Sequence, residues 1–304
     1  MKKKAADQDP LASAETFKIV VDKLEDHAIF LMDPEGQIRT WNIGAEQQLG
    51  YTRDEILGKH FSIIFTEEDI RLGVPDTEMR IAQQGGRCRD DRKHVRKDGV
   101  ELWVNGVVTT IRTASGELLG YSKVLNDISA RIAAEDTIRH QAMHDTLTGL
   151  PNRKLMNDFL ETNLLSACEG NYKFALLFID MDGFKEINDT YGHEVGDILL
   201  ETVALRLAGT VRREDMAARF GGDEFIIVLR GAEEAESLAA KIALSLVPPV
   251  SVNGVDLKVT TSIGIALYPD DGHDAKSLIK AADKALYRIK KDGGNGHAFF
   301  DKES

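Results

Sequence analysis

Residues 219–225 read Arg219-Phe220-Gly221-Gly222-Asp223-Glu224-Phe225, and Phe225 opens the apolar run Phe225-Ile226-Ile227-Val228-Leu229. Two adjacent glycines permit a tight turn with positive φ and let a backbone approach a phosphate closely. The run behind them has the length and β-branching of a buried strand. The segment predicts a hairpin over 220–229 whose tip presents two carboxylates while its second strand anchors in a core. A glycine pair followed by acids also suits an ordinary exposed hairpin, so the surrounding sequence has to decide.

Upstream, Phe174–Ile179 is another buried-strand run, and it leads into Asp180-Met181-Asp182-Gly183-Phe184-Lys185. A strand-end carboxylate facing a second carboxylate pair is what a hard cation needs, and Mg²⁺ binds through a few carboxylates plus substrate phosphates. Two such ions stabilise the attacking and leaving oxygens of a phosphoryl displacement. The N–H groups after Asp182 are placed to cradle phosphates, with Lys185 to neutralise them. Around these segments, Ile198–Leu207, Ala235–Leu246 and Ala275–Lys290 read as helices and Leu257–Leu267 as a strand. The alternation predicts a layered α/β fold.

The N-terminal half reads differently. Phe17, Val20, Val21 and Leu24 lie at helical spacing. Strands follow at Ala28–Met32 and Ile38–Trp41, separated by the turn Asp33-Pro34-Glu35-Gly36, then helical patches at Ala45–Leu49 and Arg53–Leu57. After a variable middle come strands Lys93–Arg96, Glu101–Ile111 and Gly120–Asn126, with Lys97-Asp98-Gly99 and Thr113–Gly116 as turns. This pattern predicts one antiparallel sheet with helices over one face. Residues 129–145 form a helix pattern without Gly or Pro. Ile128, Ile132, Ile138, Ala142 and Met143 mark its apolar face, although Glu135 and Arg139 interrupt a strict heptad seam. It suits either a plain domain-joining helix or a dimeric signalling helix.

The chain has 304 residues, enough for two domains with separate cores. Its net charge of −12 and the lack of a basic stripe argue against a nucleic-acid polymer as partner. Phosphates would need local devices, which points to a small nucleotide. The two cysteines, Cys88 and Cys168, fall in different halves without a CxxC motif, which disfavours zinc and excludes a disulfide framework. A cytoplasmic setting is expected. The opening Met1-Lys2-Lys3-Lys4 has no apolar stretch after it, so residues 1–14 read as a solvated tail and not a signal peptide. No apolar run approaches the ~18 residues of a membrane span.

The two halves resemble known families. Trp41-Asn42-x-Gly44-Ala45-Glu46, Leu49-Gly50-Tyr51, Glu55-Ile56-x-Gly58, Arg96-Lys97-Asp98-Gly99 and Asp127-Ile128-Ser129 resemble PAS domains over residues 15–130. The C-terminal half resembles the GGDEF family, the diguanylate cyclases, over residues 145–296. That resemblance rests on Asp145-x-Leu147-Thr148-Gly149-Leu150-Pro151-Asn152-Arg153, Asp180 to Asp189, Gly192-His193-x-x-Gly196-Asp197, the hairpin, Ser262-Ile263-Gly264 and Ala282-Asp283-x-Ala285-Leu286-Tyr287-x-x-Lys290. It implies an α+β PAS sensor at 15–130, a helical linker at 129–145, and a GGDEF domain at 146–304 with a nucleotide-cyclase, polymerase-palm type of fold: a central mixed sheet flanked by helices.

The GGDEF resemblance also implies roles. Asp180, Asp223, Glu224 and the Met181 carbonyl would hold Mg²⁺ or Mn²⁺, with Glu224 also helping to deprotonate a 3′-hydroxyl. Gly183, Phe184, Lys185 and Lys290 would contact phosphates. Asn188 and Asp197 would read guanine, whose N1–H and N2–H₂ edge suits a carboxylate. Arg219 would meet transition-state charge. Asp145 and Arg153 are expected to form a structural ion pair. The implied reaction joins two GTP molecules into cyclic di-GMP in a homodimer, with Arg212 and Asp215 forming a product-inhibition site. The alternative is a weak or silent domain that acts as a receptor for GTP or cyclic di-GMP.

One position departs from the family. Gly293-Gly294-Asn295 stands where the family has Gly-Arg-Asn. Losing that charge-assisted hydrogen bond would weaken GTP binding by about 10- to 100-fold. In the sensor, His60 and His94 fall off the central helix a haem ligand needs, and Cys88 lacks the Asn-Cys-Arg setting of a light-sensing flavin site. A non-covalent flavin near Trp41 or Trp103 and an empty, dimerising PAS both remain open.

Overall fold

A computed structural model describes residues 13–302. Residues 1–12 of the expected tail lie outside the described residues. Ser13 already belongs to the fold, because its hydroxyl accepts the Thr16 N–H and caps the first helix. The chain divides between Thr137 and Ile138 into two compact units.

The first unit opens with α1 (Ala14–Lys23), β1 (Ala28–Met32), α2 (Ile43–Leu49), α3 (Arg53–Ile56), α4 (Glu67–Arg71) and α5 (Val74–Gly85). The meander β2 (Arg87–Val95), β3 (Glu101–Arg112) and β4 (Leu118–Asp127) follows, and β4 runs on into α6 (Ser129–Met143). The sheet is antiparallel throughout, in the order β1-β4-β3-β2. Phe30, Ile38, Trp41, Leu49, Phe61, Ile64, Val104 and Leu125 form its core.

Of residues 38–41, expected as a strand, only Ile38 makes a bridge, to Met32, beside a second isolated bridge from Gln37 to His60. The N–H groups of Arg39 and Thr40 both turn to the Leu31 carbonyl, and Asn42 then leaves the sheet to cap α2 through the Ala45 N–H. β2 starts at Arg87, six residues before the expected Lys93, with Cys88 and Asp90 facing inward. The variable middle holds α4 and α5. Helix α6 stops at Met143, two residues early, because His144 bridges to Pro151.

The second unit contains α7 (Arg153–Gly170), β5 (Phe174–Asp182), α8 (Phe184–Tyr191), α9 (His193–Ala208), β6 (Met216–Gly221), β7 (Glu224–Arg230), α10 (Ala235–Leu246), β8 (Val250–Val252), β9 (Val255–Leu257), β10 (Thr260–Tyr268), α11 (Ala275–Lys291) and β11 (Gly296–Phe299). Five strands run in the order β11-β10-β5-β7-β6, with β10 and β11 parallel and the other pairs antiparallel. β5 is buried on both faces. Ala175, Leu177, Ile179 and Met181 pack with α9 and α10, while Phe174, Leu176 and Phe178 pack with α7 and α11. The strand expected over 257–267 is two pieces. Asn253 and Gly254, both at positive φ, close a separate β8–β9 hairpin, and β10 begins only at Thr260.

Gly264 sets how closely α11 lies on the sheet. A Cβ there would fall 2.0 Å from the Ala282 carbonyl oxygen and 2.4 Å from the Leu286 nitrogen. Backbone on both sides cannot step aside as a side chain could. Gly264→Ala is expected to destabilise this unit by about 1–3 kcal/mol or more, measured by urea unfolding. An unchanged midpoint would show that α11 is free to shift outward.

Candidate active site

The β6–β7 hairpin carries the acidic tip. Gly222 turns at φ 55, and the pairing register shifts between Arg219 and Gly221, a bulge that re-aims the tip. Across the sheet, Asp180 on β5 is directly opposite Glu224 on β7. Directly opposite residues share a sheet face, so both carboxylates belong to the α7–α11 side.

These acids crowd one another. Asp180 is 5% exposed, and burial raises its pKa, with the Asp223 and Asp182 charges adding to the effect and Lys290 opposing it. Burial likewise pushes the Glu224 carboxyl up, reinforced by Asp180, Asp223 and Asp283. Asp223 and Glu224 make no side-chain hydrogen bond or ion pair among the described residues. Asp180 Oδ1 lies 2.6 Å from Lys290 Nζ, an ion pair without hydrogen-bond alignment, which leaves that oxygen a buried acceptor with no hydrogen-bond donor. Three carboxylates crowded beside one paired ammonium carry excess negative charge, which fits a hard divalent cation. Among the described residues no three acidic, His or Cys side chains form a complete metal cage. A site of this kind would take its remaining ligands from phosphates and water.

Beside the acids is a cavity of about 370 Å³, lined by Asp180 to Glu186, Asp223, Lys290, Gly293 and Gly294. It gathers Gly183, Phe184, Lys185 and Lys290, the expected phosphate contacts. Gly183 enters α8 at φ 71, turning the helix N-terminus into this cavity. Glu224 also lines a larger cleft of about 630 Å³, together with Arg153, Phe220 and Lys280.

Asp182 is committed to structure. It accepts hydrogen bonds from Thr260 Oγ1 at 2.8 Å, Ser262 Oγ at 2.6 Å and the Asn295 N–H at 2.9 Å. It thereby ties β5 to β10 and to the Gly293–Asn295 loop. Sequence reading gave it no such role, since its three partners lie far along the chain.

Asn188 is half-buried on α8, and its Oδ1 is buried with no partner. It rests against Gly196, where a Cβ would come within 1.9 Å of that oxygen. Glycine there makes room for the amide. Asp197 is exposed on α9, next to Gly196 in the chain.

Three expectations meet different partners. Asp145 pairs with Arg219 at 2.8 Å and not with Arg153, whose guanidinium lies 4.3 Å from the Phe220 ring centroid. Arg219, expected at the transition state, also donates from Nε and Nη2 to the Gly222 carbonyl at 2.9 and 2.7 Å. It therefore braces the hairpin turn and lines neither cavity. Arg212 and Asp215 do meet, through the Arg212 N–H at 3.0 Å, but the Arg212 guanidinium is turned to Glu234 at 2.8 Å. The other Asp215 oxygen accepts the Arg230 N–H at 2.9 Å.

In the first unit, Trp41 is core, packed on Phe30 with its Nε1–H on the Tyr51 carbonyl. Trp103 is 41% exposed under the Lys93 ammonium. Trp103 also lines an open cleft of about 660 Å³ with Thr66, Asp69, Arg92 and Glu101.

Gly294 adopts φ 75, and a Cβ there would lie 2.9 Å from Asp182 Oδ1. A larger residue would strain the backbone and press on the carboxylate that holds the loop. Gly294→Arg is expected to destabilise by about 1–3 kcal/mol, read from urea unfolding. An unchanged midpoint would mean the loop accepts the side chain without disturbing Asp182.

The family model described as "Diguanylate cyclase, GGDEF domain" matches residues 142–296. A PAS domain model matches residues 26–130. The bifunctional diguanylate cyclase/cyclic di-GMP phosphodiesterase MucR of Pseudomonas aeruginosa is 39% identical over 204 residues, covering 66% of this chain and 30% of MucR. Diguanylate cyclase TpbB of the same species is 36% identical over 225 residues, covering 72% of this chain and 50% of TpbB. The chain thus spans half or less of these relatives' length. The crystal structure of the coiled coil and GGDEF domain of DgcB from Caulobacter crescentus, in complex with c-di-GMP, superposes with a TM-score of 0.52 at 28% identity, covering 57% of this chain and 93% of that one. With its fold, its motifs and more than half its length accounted for in this way, the chain belongs to the GGDEF family and carries a PAS domain ahead of the GGDEF domain.

Proposed function

We propose that the chain is a diguanylate cyclase that condenses two GTP molecules into cyclic di-GMP. The observation that carries this is the set of acids Asp180, Asp223 and Glu224, short of positive charge beside a glycine-walled cavity with Lys185 and Lys290. Asp180, Asp223, Glu224 and the Met181 carbonyl would hold Mg²⁺ or Mn²⁺. When bound, such ions supply charge stabilisation to the displacement at phosphorus.

The protein's own groups bind and orient. Lys185 and the N-terminal N–H groups of α8 receive the triphosphate. Lys290 neutralises Asp180 in the free protein and is close enough to serve phosphate once that acid is otherwise engaged. The orphan Oδ1 of Asn188 accepts from guanine, and Asp197 takes the N1–H and N2–H₂ edge. In the chemical step, the 3′-oxygen of one GTP bonds to the α-phosphorus of the other. The bond to the β-phosphate bridging oxygen breaks and pyrophosphate leaves. Glu224, with its raised pKa, is suited to take the hydroxyl proton. A second transfer closes the ring. Arg219 contributes by holding the hairpin turn, and Asp182 by holding β10 and the Gly293–Asn295 loop.

Each domain binds one GTP, so two chains have to meet. Helix α6 has no buried residue, and its Ile138 is 65% exposed, which supports its use as the dimer element. Arg212 and Asp215 would form the product-inhibition site, with the product's phosphate displacing Glu234 from Arg212.

Two measurements test this. Purified protein with GTP and Mg²⁺ is expected to yield cyclic di-GMP, identified by mass, and Asp223→Ala to yield at least about 100-fold less. GTP binding without product from wild-type dimers would instead favour a silent receptor. Arg212→Ala is expected to raise the cyclic di-GMP concentration for half-inhibition by about 10- to 100-fold. Inhibition that persists at the wild-type concentration would remove this pair from the product site.

A further inference from the structure

Two cavities meet at the candidate acids. The cavity of about 370 Å³ lies against Asp180, Asp223 and Lys290, and the cleft of about 630 Å³ lies against Phe178, Glu224 and Asp283. Phe178 and Asp180 are alternate residues of β5, and Asp180 is opposite Glu224, so cleft and cavity follow one another along one sheet face. Helix α11 runs past them in the same order. Lys276, Lys280 and Asp283 line the cleft, and Lys290 lines the cavity about 10 Å farther along the axis than Asp283. The row of acids is the border between the two.

The cleft offers its own chemistry. Phe178 and Phe220, edge to face at 5.3 Å, supply its apolar surface together with Ile279. Its polar side chains form two facing stripes. Arg153, Asn157 and Glu161 recur at every fourth residue of α7, and Lys276, Lys280 and Asp283 share one face of α11. The Arg153 guanidinium rests on the Phe220 ring, 4.3 Å from its centroid. None of these six side chains makes a hydrogen bond or an ion pair among the described residues. Exposed charges elsewhere in this unit do pair, as Lys173 with Asp270 and Arg212 with Glu234. Cations beside carboxylates and an amide suit a sugar phosphate. The cations take phosphate oxygens, and the carboxylates and the amide take hydroxyls.

Stereochemistry decides which sugar phosphate, and this step rests on the diguanylate cyclase reading. The donor GTP places its triphosphate in the smaller cavity, so its pyrophosphate departs on that side of the acids. Attacking and leaving oxygens at a transferring phosphorus are roughly in line. The acceptor 3′-hydroxyl therefore arrives from the other side of the acids, where the cleft opens beside Glu224. The acceptor is the GTP held by a second chain, which comes only when two chains meet. That accounts for a cleft whose polar side chains have no partner within their own chain.

We propose that the cleft between α7 and α11 is the acceptor half of the site: it receives the ribose and 5′-phosphate of the GTP that a second chain holds, with Lys280 on the phosphate and Asn157 and Asp283 on the ribose. There the acceptor 3′-oxygen bonds to the donor α-phosphorus. The bond from that phosphorus to the α–β bridging oxygen breaks, pyrophosphate leaves with the electron pair, and the hydroxyl proton goes to Glu224. In a twofold pair each cleft faces the other chain's nucleotide, so the second transfer uses the same contacts. Lys280 and Lys290, on one helix, thus serve different nucleotides, Lys290 the chain's own and Lys280 the one brought to it.

The test uses the full chain. With GTP and Mg²⁺, Lys280→Met is expected to lower kcat for cyclic di-GMP by about 10- to 100-fold, and Lys280→Arg to recover most of the rate. 3′-Deoxy-GTP fills a chain's own site but has no hydroxyl with which to attack. Its Kd, measured at a concentration where sedimentation shows monomers, should stay within about twofold of wild type in Lys280→Met, with the urea midpoint unmoved. An unchanged kcat would overturn the proposal. So would 3′-deoxy-GTP binding that weakens in step with kcat, because the lysine would then serve its own chain's nucleotide. A wild type that binds 3′-deoxy-GTP yet makes no cyclic di-GMP would overturn the cyclase reading itself, and this assignment with it.

Discussion

The antiparallel register of β5 against β7, which sets Asp180 opposite Glu224, is the constraint on which the candidate site depends. A slip of one residue in either strand would turn its carboxylate to the other sheet face and leave its partner unopposed. Several features hold the register. The side chains of β5 fit two separate cores, so neither face tolerates a slip. Gly264 lets α11 lie directly on the neighbouring strand, which brings Lys290 to Asp180. Asp182 then joins β5 to β10 and to the loop after α11 through its three hydrogen bonds. The acids are thus held in place by the two cores, by the close approach at Gly264 and by the Asp182 hydrogen bonds.

The two units handle buried charge in different ways. In the GGDEF domain the carboxylates crowd one another at the mouth of a cavity, with Lys290 as the ammonium paired to Asp180. In the PAS domain the buried charges are matched internally, with Lys123 and Arg92 set against Asp90, Asp69 and Glu78. A site open to solvent can exchange its partners, whereas a closed cluster keeps the ones it has. The excess of negative charge in one unit therefore supports the proposed ligand site, while the matched charges of the other tie its helices to its sheet.

Much of the site was legible because it is written locally. The run into Asp180, the Gly183 turn and the glycine pair at 221–222 each combine a strand signal with turn chemistry. What the sequence concealed was pairing at a distance. Asp145 looked like a partner for nearby Arg153, yet Arg219, on β6 beyond the intervening β5, takes it, and Arg153 turns to the Phe220 ring. Asp182 read as another acid, although its oxygens are occupied by Thr260, Ser262 and Asn295. Strand β2 was cut short because Asp90, an inward residue, has the character of a surface one. Ile38–Trp41 alternated like a strand, but Asn42 draws the chain away to cap a helix. In each case a tertiary hydrogen bond or ion pair outweighed a local preference.

Gly294 shows how far a family comparison carries for a single residue. From sequence it is a missing positive charge. In the fold it lies within a run of positive φ, from Gly293 to Asn295, and the Asn295 N–H binds Asp182. An arginine grafted here would add charge near the cavity beside the acids while pushing on the carboxylate that fixes the loop. Glycine and the Asp182 anchor therefore have to be considered together. With glycine at 294 the loop is tied to β5 through the Asn295 N–H and Asp182, and the positive charge beside the acids is that of Lys290 and Lys185.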